Sequence, residues 1–118
     1  MTYCNVIGID LAKNVFQMHI NDVMGKMIKQ KRLSRKKLLP HLAKCQPALI
    51  GIEASAGAHF WAREFRKLGH EVKMMAPQFV KPYVRSNKND ANDARAIAEA
   101  VTRPDMRFVP IKEVCHQD

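Results

Sequence analysis

Four carboxylates in this chain sit where surface acids ordinarily do not. Asp10 closes the run Val6-Ile7-Gly8-Ile9-Asp10, and Glu53 closes Ala48-Leu49-Ile50-Gly51-Ile52-Glu53. Each ends an apolar stretch with a glycine two positions earlier, which in an extended strand lies on the acid's own face. The small glycines are expected to leave room beside the carboxylates for an ion or a phosphate. Farther along, the helical period puts Asp90 and Asp93 on the side of Ala94, Ile97, Ala98 and Val101, with Asn92, Arg95 and Glu99 opposite. Ionised groups on a core-facing stripe cost several kcal/mol if unpaired, so a cation is expected to meet them. Convergent carboxylates repel one another unless divalent ions neutralise them, and an oxygen-only donor set suits Mg²⁺ or Mn²⁺. Two such ions about 4 Å apart activate a nucleophile and stabilise the leaving oxygen of a phosphodiester. Plainer readings stand beside this one. Asp10 and Glu53 can mark where a strand meets solvent, and Asp90 and Asp93 can cap a helix as N-cap and third residue.

The elements that would carry these acids follow from periodicity and turn chemistry. Asn5–Asp10, Val15–Ile20 and Met27–Leu33 read as three strands in a meander, with a turn over Asp22–Gly25. Ser34 reads as the N-cap of a helix through Leu38, Leu39 and Leu42, in which Pro40 is expected to kink or shorten the helix. Ala48–Glu53 is a fourth strand. Ala58, Trp61, Phe65 and Leu68 share one face of a helix stopped by Gly69, and Glu71–Met75 is a fifth strand closed by Pro77. A last helix is expected from about Asp90 to Val101, ending before Pro104, after which the chain departs toward something else. A meander followed by alternating helices and strands implies an α/β mixed sheet with helices on its faces, the element order of the ribonuclease H-like fold.

Charge indicates what such a domain would meet. The 118 residues carry a net charge of +9, which points to polyphosphate partners. Between Val23 and Ile52 there is no acid, and Lys26, Lys29, Lys31, Arg32, Arg35, Lys36, Lys37 and Lys44 all fall there. Lys73, Lys81, Arg85 and Lys88 occupy a second acid-free stretch. The expected nucleic-acid contacts are Lys13, Lys29, Lys31, Arg32, Arg35, Lys36, Lys37, Lys81, Arg85 and Lys88, against the alternative of a solvated basic face. Cys4, Cys45 and Cys115 are odd in number and unpaired in spacing, and the five histidines lack ligand spacing, so neither a disulfide framework nor a zinc site is expected. No apolar run approaches bilayer length and the start lacks a signal pattern, so the expectation is a cytoplasmic protein without membrane contact.

Three blocks, Val6-Ile7-Gly8-Ile9-Asp10-Leu11-Ala12-Lys13, Gly51-Ile52-Glu53-Ala54-Ser55 and Asn87-Lys88-Asn89-Asp90-Ala91-Asn92-Asp93-Ala94, resemble the DEDD insertion-sequence transposases. The stretch Pro77-Gln78-Phe79-Val80-Lys81-Pro82-Tyr83 fits the same family, whose amino-terminal domain is similar to the Holliday-junction resolvase RuvC. The resemblance runs from Val6 to about Lys112. It implies that Asp10, Glu53, Asp90 and Asp93 are the family's four metal-binding, catalytic acids. It implies DNA strand exchange guided by a structured RNA, a homo-oligomer, and a serine-bearing carboxy-terminal domain beyond a coiled coil. Residues 1–112 then form the RuvC-like domain and 113–118 the start of a linker toward that further domain. Because the sequence stops at Asp118, no serine nucleophile is assigned here; Ser34, Ser55 and Ser86 read as caps or loop residues.

Rival functions use the same residues differently. A stand-alone RuvC-like junction nuclease would need no second domain. A non-catalytic nucleic-acid-binding module would keep the fold while the acids only cap or pair. A sugar-kinase-like or actin-like ATPase also begins with a strand ending Gly-Ile-Asp, but the glycine-rich loops that cradle phosphates are missing from the sequence.

Overall fold

A computed structural model describes residues 3–11, 14–84 and 90–113, with only the backbone of residues 90–92. β1 (Asn5–Asp10), β2 (Val15–Asp22) and β3 (Met27–Ser34) form the meander. The β2–β3 turn is tied by Asp22, whose Oδ1 accepts the backbone N–H groups of Met24 and Lys26, both at 2.9 Å. Gly25 there has φ +91°, a conformation that suits a residue without a Cβ.

Helix α1 (Arg35–Lys44) buries Leu38 and Leu42 and runs through Pro40 without ending. Pro40 lies on the exposed side, where the carbonyl that loses its donor is open to solvent, and the helix continues past it to Lys44. β4 (Ala48–Glu53) then enters beside β1, α2 (Ala58–Lys67) crosses back, and β5 (Glu71–Met75) pairs with β4. The sheet order is β3-β2-β1-β4-β5, antiparallel across the meander and parallel from β1 outward. Parallel neighbours need a crossover, and α1 and α2 supply the two.

The two faces are covered differently. Ile7, Ile9, Phe16, Met18, Ile50 and Ile52 point to the face packed by α1 and α2, with Leu38, Leu42, Trp61 and Phe65. Val6 and Leu49 point to the other face, with Ala96, Ile97, Ala100 and Val101 of the final helix. That face also receives Val80 of a one-turn helix, α3 (Pro77–Val80), and Tyr83 of a 3-10 turn over Lys81–Tyr83, neither of which periodicity signals. The final helix, α4, spans Asp90–Ala100.

Beyond α4 the chain returns to the sheet. Val109 N–H donates to the Met74 carbonyl at 2.7 Å, covering the outer edge of β5. Lys112 N–H donates to His59 Nδ1 at 3.0 Å, and Arg63 donates to the Lys112 carbonyl at 2.7 Å, which fastens the tail to α2. Among the described residues no helix is long and apolar enough to cross a membrane.

Candidate metal and nucleic-acid site

Parallel pairing of β1 with β4 joins Gly8 to Gly51 and Ile9 to Ile52 in register. Asp10 and Glu53 therefore finish neighbouring strands at the same end of the sheet. Alternation puts both on the face of Gly8 and Gly51, and both carboxylates are half-buried. Antiparallel pairing sets Gln17 beside Asp10 and Arg32 beside Gln17. One face at this end thus presents a row across four strands: Arg32, Gln17, Asp10, Glu53.

Helix α4 lies on that face. A Cβ on Gly8 would collide with the carbonyl oxygen of Ala94 and the backbone of Ala98, and one on Gly51 would sit 2.8 Å from Cβ of Val101. Contrary to the expectation from sequence, the space over the glycines is not left for an ion but filled by the helix, whose backbone they admit against the sheet. Ala94 and Ala98 make the approach possible because their side chains add so little bulk.

The direction of α4 follows from its neighbours. Thr102 and Arg103, just past its end, line the same cleft as Val6, Asp22 and Gly25, at the start of β1 and the tip of the hairpin. Ala94 lies over Gly8, so the helix runs against β1 and its first turn is directed toward the strand ends that carry Asp10 and Glu53. Asp93 is half-buried, and the helical period sets it on the flank of Ile97 and Ala100, which pack with Leu49 and Met75 on the β4 side. Burial of Ala96 and Ala100 makes this covered flank wider than the stripe read from sequence. The side chain of Asp90 lies outside the described residues. Among the described residues, no group of three or more His, Cys, Asp or Glu side chains is arranged to hold a metal ion. Asp10 and Glu53 supply oxygen donors of the type a hard divalent cation takes, and the first turn of α4, which carries Asp90 and Asp93, is directed toward the same strand ends.

The basic residues divide between the two faces. Lys29 and Lys31 pair with Ile20 and Met18, which places them on the α1 side, whereas Arg32 lies on the α4 side. Lys36 and Lys37 are exposed on α1, and Lys81 is exposed on the α4 side in the 3-10 turn. The Arg35 guanidinium stands 5.2 Å from the centroid of the Trp61 ring, a cation–π contact that anchors the start of α1. Burial first, and then the charges of Lys31, Lys29 and Lys44, hold His41 below the ordinary histidine range. Lys13, Arg85 and Lys88 lie outside the described residues.

Sequence reading missed a buried polar row. Gln17, His19 and Asn21 on β2 are 7%, 4% and 9% exposed, beneath the α4 face. Their period-two spacing was the available signal, but it reads as a solvent-facing side of a strand until the helix that covers it is known. His19 Nε2 lies 2.9 Å from Asn21 Oδ1 and its Nδ1 lies 3.1 Å from Gln30 Nε2. Both contacts are satisfied when the ring is neutral with its proton on Nε2. His70, in contrast, is a core residue matched on both nitrogens, by Ala48 N–H at 3.0 Å and the Leu42 carbonyl at 2.9 Å. Cys4 and Cys45 are free thiols.

Comparison with known proteins adds family evidence to this geometry. Residues 7–117 match the model of the IS110-type DEDD family, described as a transposase. A probable family 20 transposase of Pseudomonas aeruginosa is 49% identical over 94% of this chain. The transposase for insertion sequence element IS1328 of Yersinia enterocolitica is 50% identical over 92% of it. In each case the chain spans 33% of the relative's length. Among solved structures, T. thermophilus RuvC in complex with Holliday junction substrate superposes with a TM-score of 0.60 at 14% identity, covering 83% of this chain and 92% of that one. That likeness is one of fold, and it agrees with the ribonuclease H-like sheet order seen here.

Proposed function

This chain belongs to the IS110-type DEDD transposase family, and we propose that it forms the metal-dependent part of a DNA transposase acting on phosphodiester bonds. Asp10, Glu53, Asp90 and Asp93 hold divalent cations, Mg²⁺ or Mn²⁺, two in number. When bound, such ions activate a nucleophile and stabilise a leaving oxygen. The chain's own side chains do the rest: the carboxylates fix the donor geometry, and α4 seals the sheet face beneath them. Lys13, Lys29, Lys31, Arg32, Arg35, Lys36, Lys37, Lys81, Arg85 and Lys88 neutralise a DNA backbone that the acids alone would repel. Because the relatives are about three times as long, strand exchange, a guide RNA, a serine-bearing domain and a homo-oligomer are proposed for the full-length protein.

The observation that carries the proposal is the parallel register of β1 and β4, which ends two acids side by side on the face that α4 covers. Titration of Mn²⁺ into the chain, followed by electron paramagnetic resonance, tests it. Asp10→Asn and Glu53→Gln are each expected to weaken binding by at least about tenfold, since losing even a supporting group costs that much at metal sites. Equal affinity in the variants and the parent chain would refute the assignment.

A further inference from the structure

On the flank of α4 that faces β2, the hairpin and the helix enclose a cleft of about 780 Å³. Val6 and Ala98 line its floor, and His19, Asn21, Gln30 and Arg95 its walls. This volume falls within the roughly 300–1,000 Å³ of small-ligand sites. Helical period sets Arg95 about 200° around α4 from Asp93, so the cleft and the acid-bearing flank occupy opposite sides of one helix.

Two groups in this cleft are incompletely matched. Asn21 is nine-tenths buried; its Oδ1 accepts from His19, and its Nδ2 amide has no acceptor among the described residues. Arg95 is half-buried and has no ion-pair or hydrogen-bond partner among the described residues. The acids nearby are already engaged. Glu99 pairs with Arg103 at 2.8 Å, and Asp22 holds the hairpin turn. Gln30 donates one amide proton to His19 and keeps a second proton and its carbonyl oxygen. Burial first, and the charge of Arg95 after it, lower the pKa of His19, so the ring stays neutral at the cleft wall. A buried amide donor and a half-buried guanidinium cost free energy until an acceptor meets them. At the lip, Met24 is 88% exposed and Met27 51%, deformable apolar side chains on which a flat ring packs.

We propose that this cleft binds one unpaired nucleotide of a nucleic-acid strand. Its phosphate lies on Arg95, its base edge meets the amides of Asn21 and Gln30, and its base face rests on Met24 and Met27. Side-chain amides offer the paired donor and acceptor that base edges take, and a guanidinium suits a phosphate. A base inside a duplex is stacked and already paired, so only an unpaired one enters. Asp22 and Glu99 line the cleft but are engaged by the hairpin turn and by Arg103, and no third acid joins them among the described residues, so a strand engaged there is gripped rather than cut.

The test is titration of the 118-residue chain with AMP, GMP, CMP and UMP in turn, followed by NMR of the Asn21 and Gln30 amides and the Arg95 Nε–H. At least one nucleotide is expected to shift all three residues. Arg95→Gln and Asn21→Leu should each weaken binding about tenfold or more, the loss of one charge-assisted or buried hydrogen bond. Asp10→Asn should leave it unchanged, which separates this site from the acidic one. If Asn21→Leu fails to fold, Arg95→Gln still decides. The proposal is overturned if no nucleotide moves these signals, or if Arg95→Gln binds as tightly as the parent. It is also overturned if inorganic phosphate or N-acetylglutamate binds as tightly as the nucleotides, which would make the cleft a bare-anion site or a dock for a protein carboxylate.

Discussion

Replacing Gly8 by alanine places a methyl group against helix backbone that has nowhere to move, because Ala94 and Ala98 are themselves 1% and 0% exposed. Overpacking against side chains costs about 1–3 kcal/mol, and here the obstacle is backbone, so a loss of about 3 kcal/mol or more is expected in chemical denaturation. Gly57 is the control: an added Cβ meets nothing within 4 Å and its φ is −93°, so alanine there should stabilise by about 0.4–1 kcal/mol. A similar loss at both positions would mean that α4 does not seat on Gly8 as described. His19 carries a pH dependence. Its folded pKa lies below the unfolded value of 6.5, chiefly through burial, so the unfolded chain binds the proton more readily. Stability attributable to His19 is therefore complete above pH 6.5 and declines as the pH falls from there toward the folded pKa. NMR titration of the ring should give a pKa under 6.5, with the urea midpoint falling over the same window; a ring titrating above 6.5 would contradict the neutral, matched histidine. Glycine spacing was legible in the sequence, but its purpose was not, because a gap beside an acid and a seat for a helix look alike until the covering element is known.

At the level of elements, β3 is the exposed edge of the sheet, and its unpaired backbone is available to another strand. Lys29 and Lys31 stand on one face of this edge while Ile28, 52% exposed, stands on the other. Two lysines close together repel a second copy's lysines in an edge-to-edge pair. Changing Lys29 and Lys31 together to valine should leave the fold intact and produce concentration-dependent self-association in sedimentation velocity. A double variant that stays monodisperse would show that the edge is protected by something other than charge. Strand and helix positions were readable because turn residues and periodicity act locally: Ala48–Glu53 and Glu71–Met75 appear with the expected bounds. The one-turn helix Pro77–Val80 was not readable, since four residues are too few to show a period. Nor was the return of the tail to β5 and α2, because its contacts, from Val109 to Met74, Lys112 to His59 and Arg63, and Glu113 to Arg66, join residues far apart in the chain.

For the molecule as a whole, the net charge of +9 is spread over both sides of the sheet, with Lys36 and Lys37 on α1 and Arg32 and Lys81 on the α4 side. A charge so distributed should make binding of a short single-stranded DNA fall steeply with salt, by a slope of about 0.7 in log affinity per phosphate neutralised. Changing Lys36 and Lys37 to glutamine should reduce that slope by about 1.4, which fluorescence anisotropy at several salt concentrations measures. An unchanged slope would remove α1 from the nucleic-acid surface and leave Arg32 and Lys81 on the acid-bearing side as the contacts.

Among the described residues, local chemistry in the chain was enough to specify β1 to β5, their bounding turns and the helices α1, α2 and α4, because each depends on residues within one or two turns of one another. It was also enough to single out Asp10 and Glu53 as acids ending apolar strands. Which strands become neighbours, however, depends on crossovers and on the burial of two faces at once. Only the folded sheet sets Asp10 next to Glu53, lays α4 on Gly8 and Gly51, and buries Gln17, His19 and Asn21 beneath it. Burial is a property of what arrives from far along the chain, so a polar row written for water in one strand becomes the wall of a cleft once a distant helix covers it.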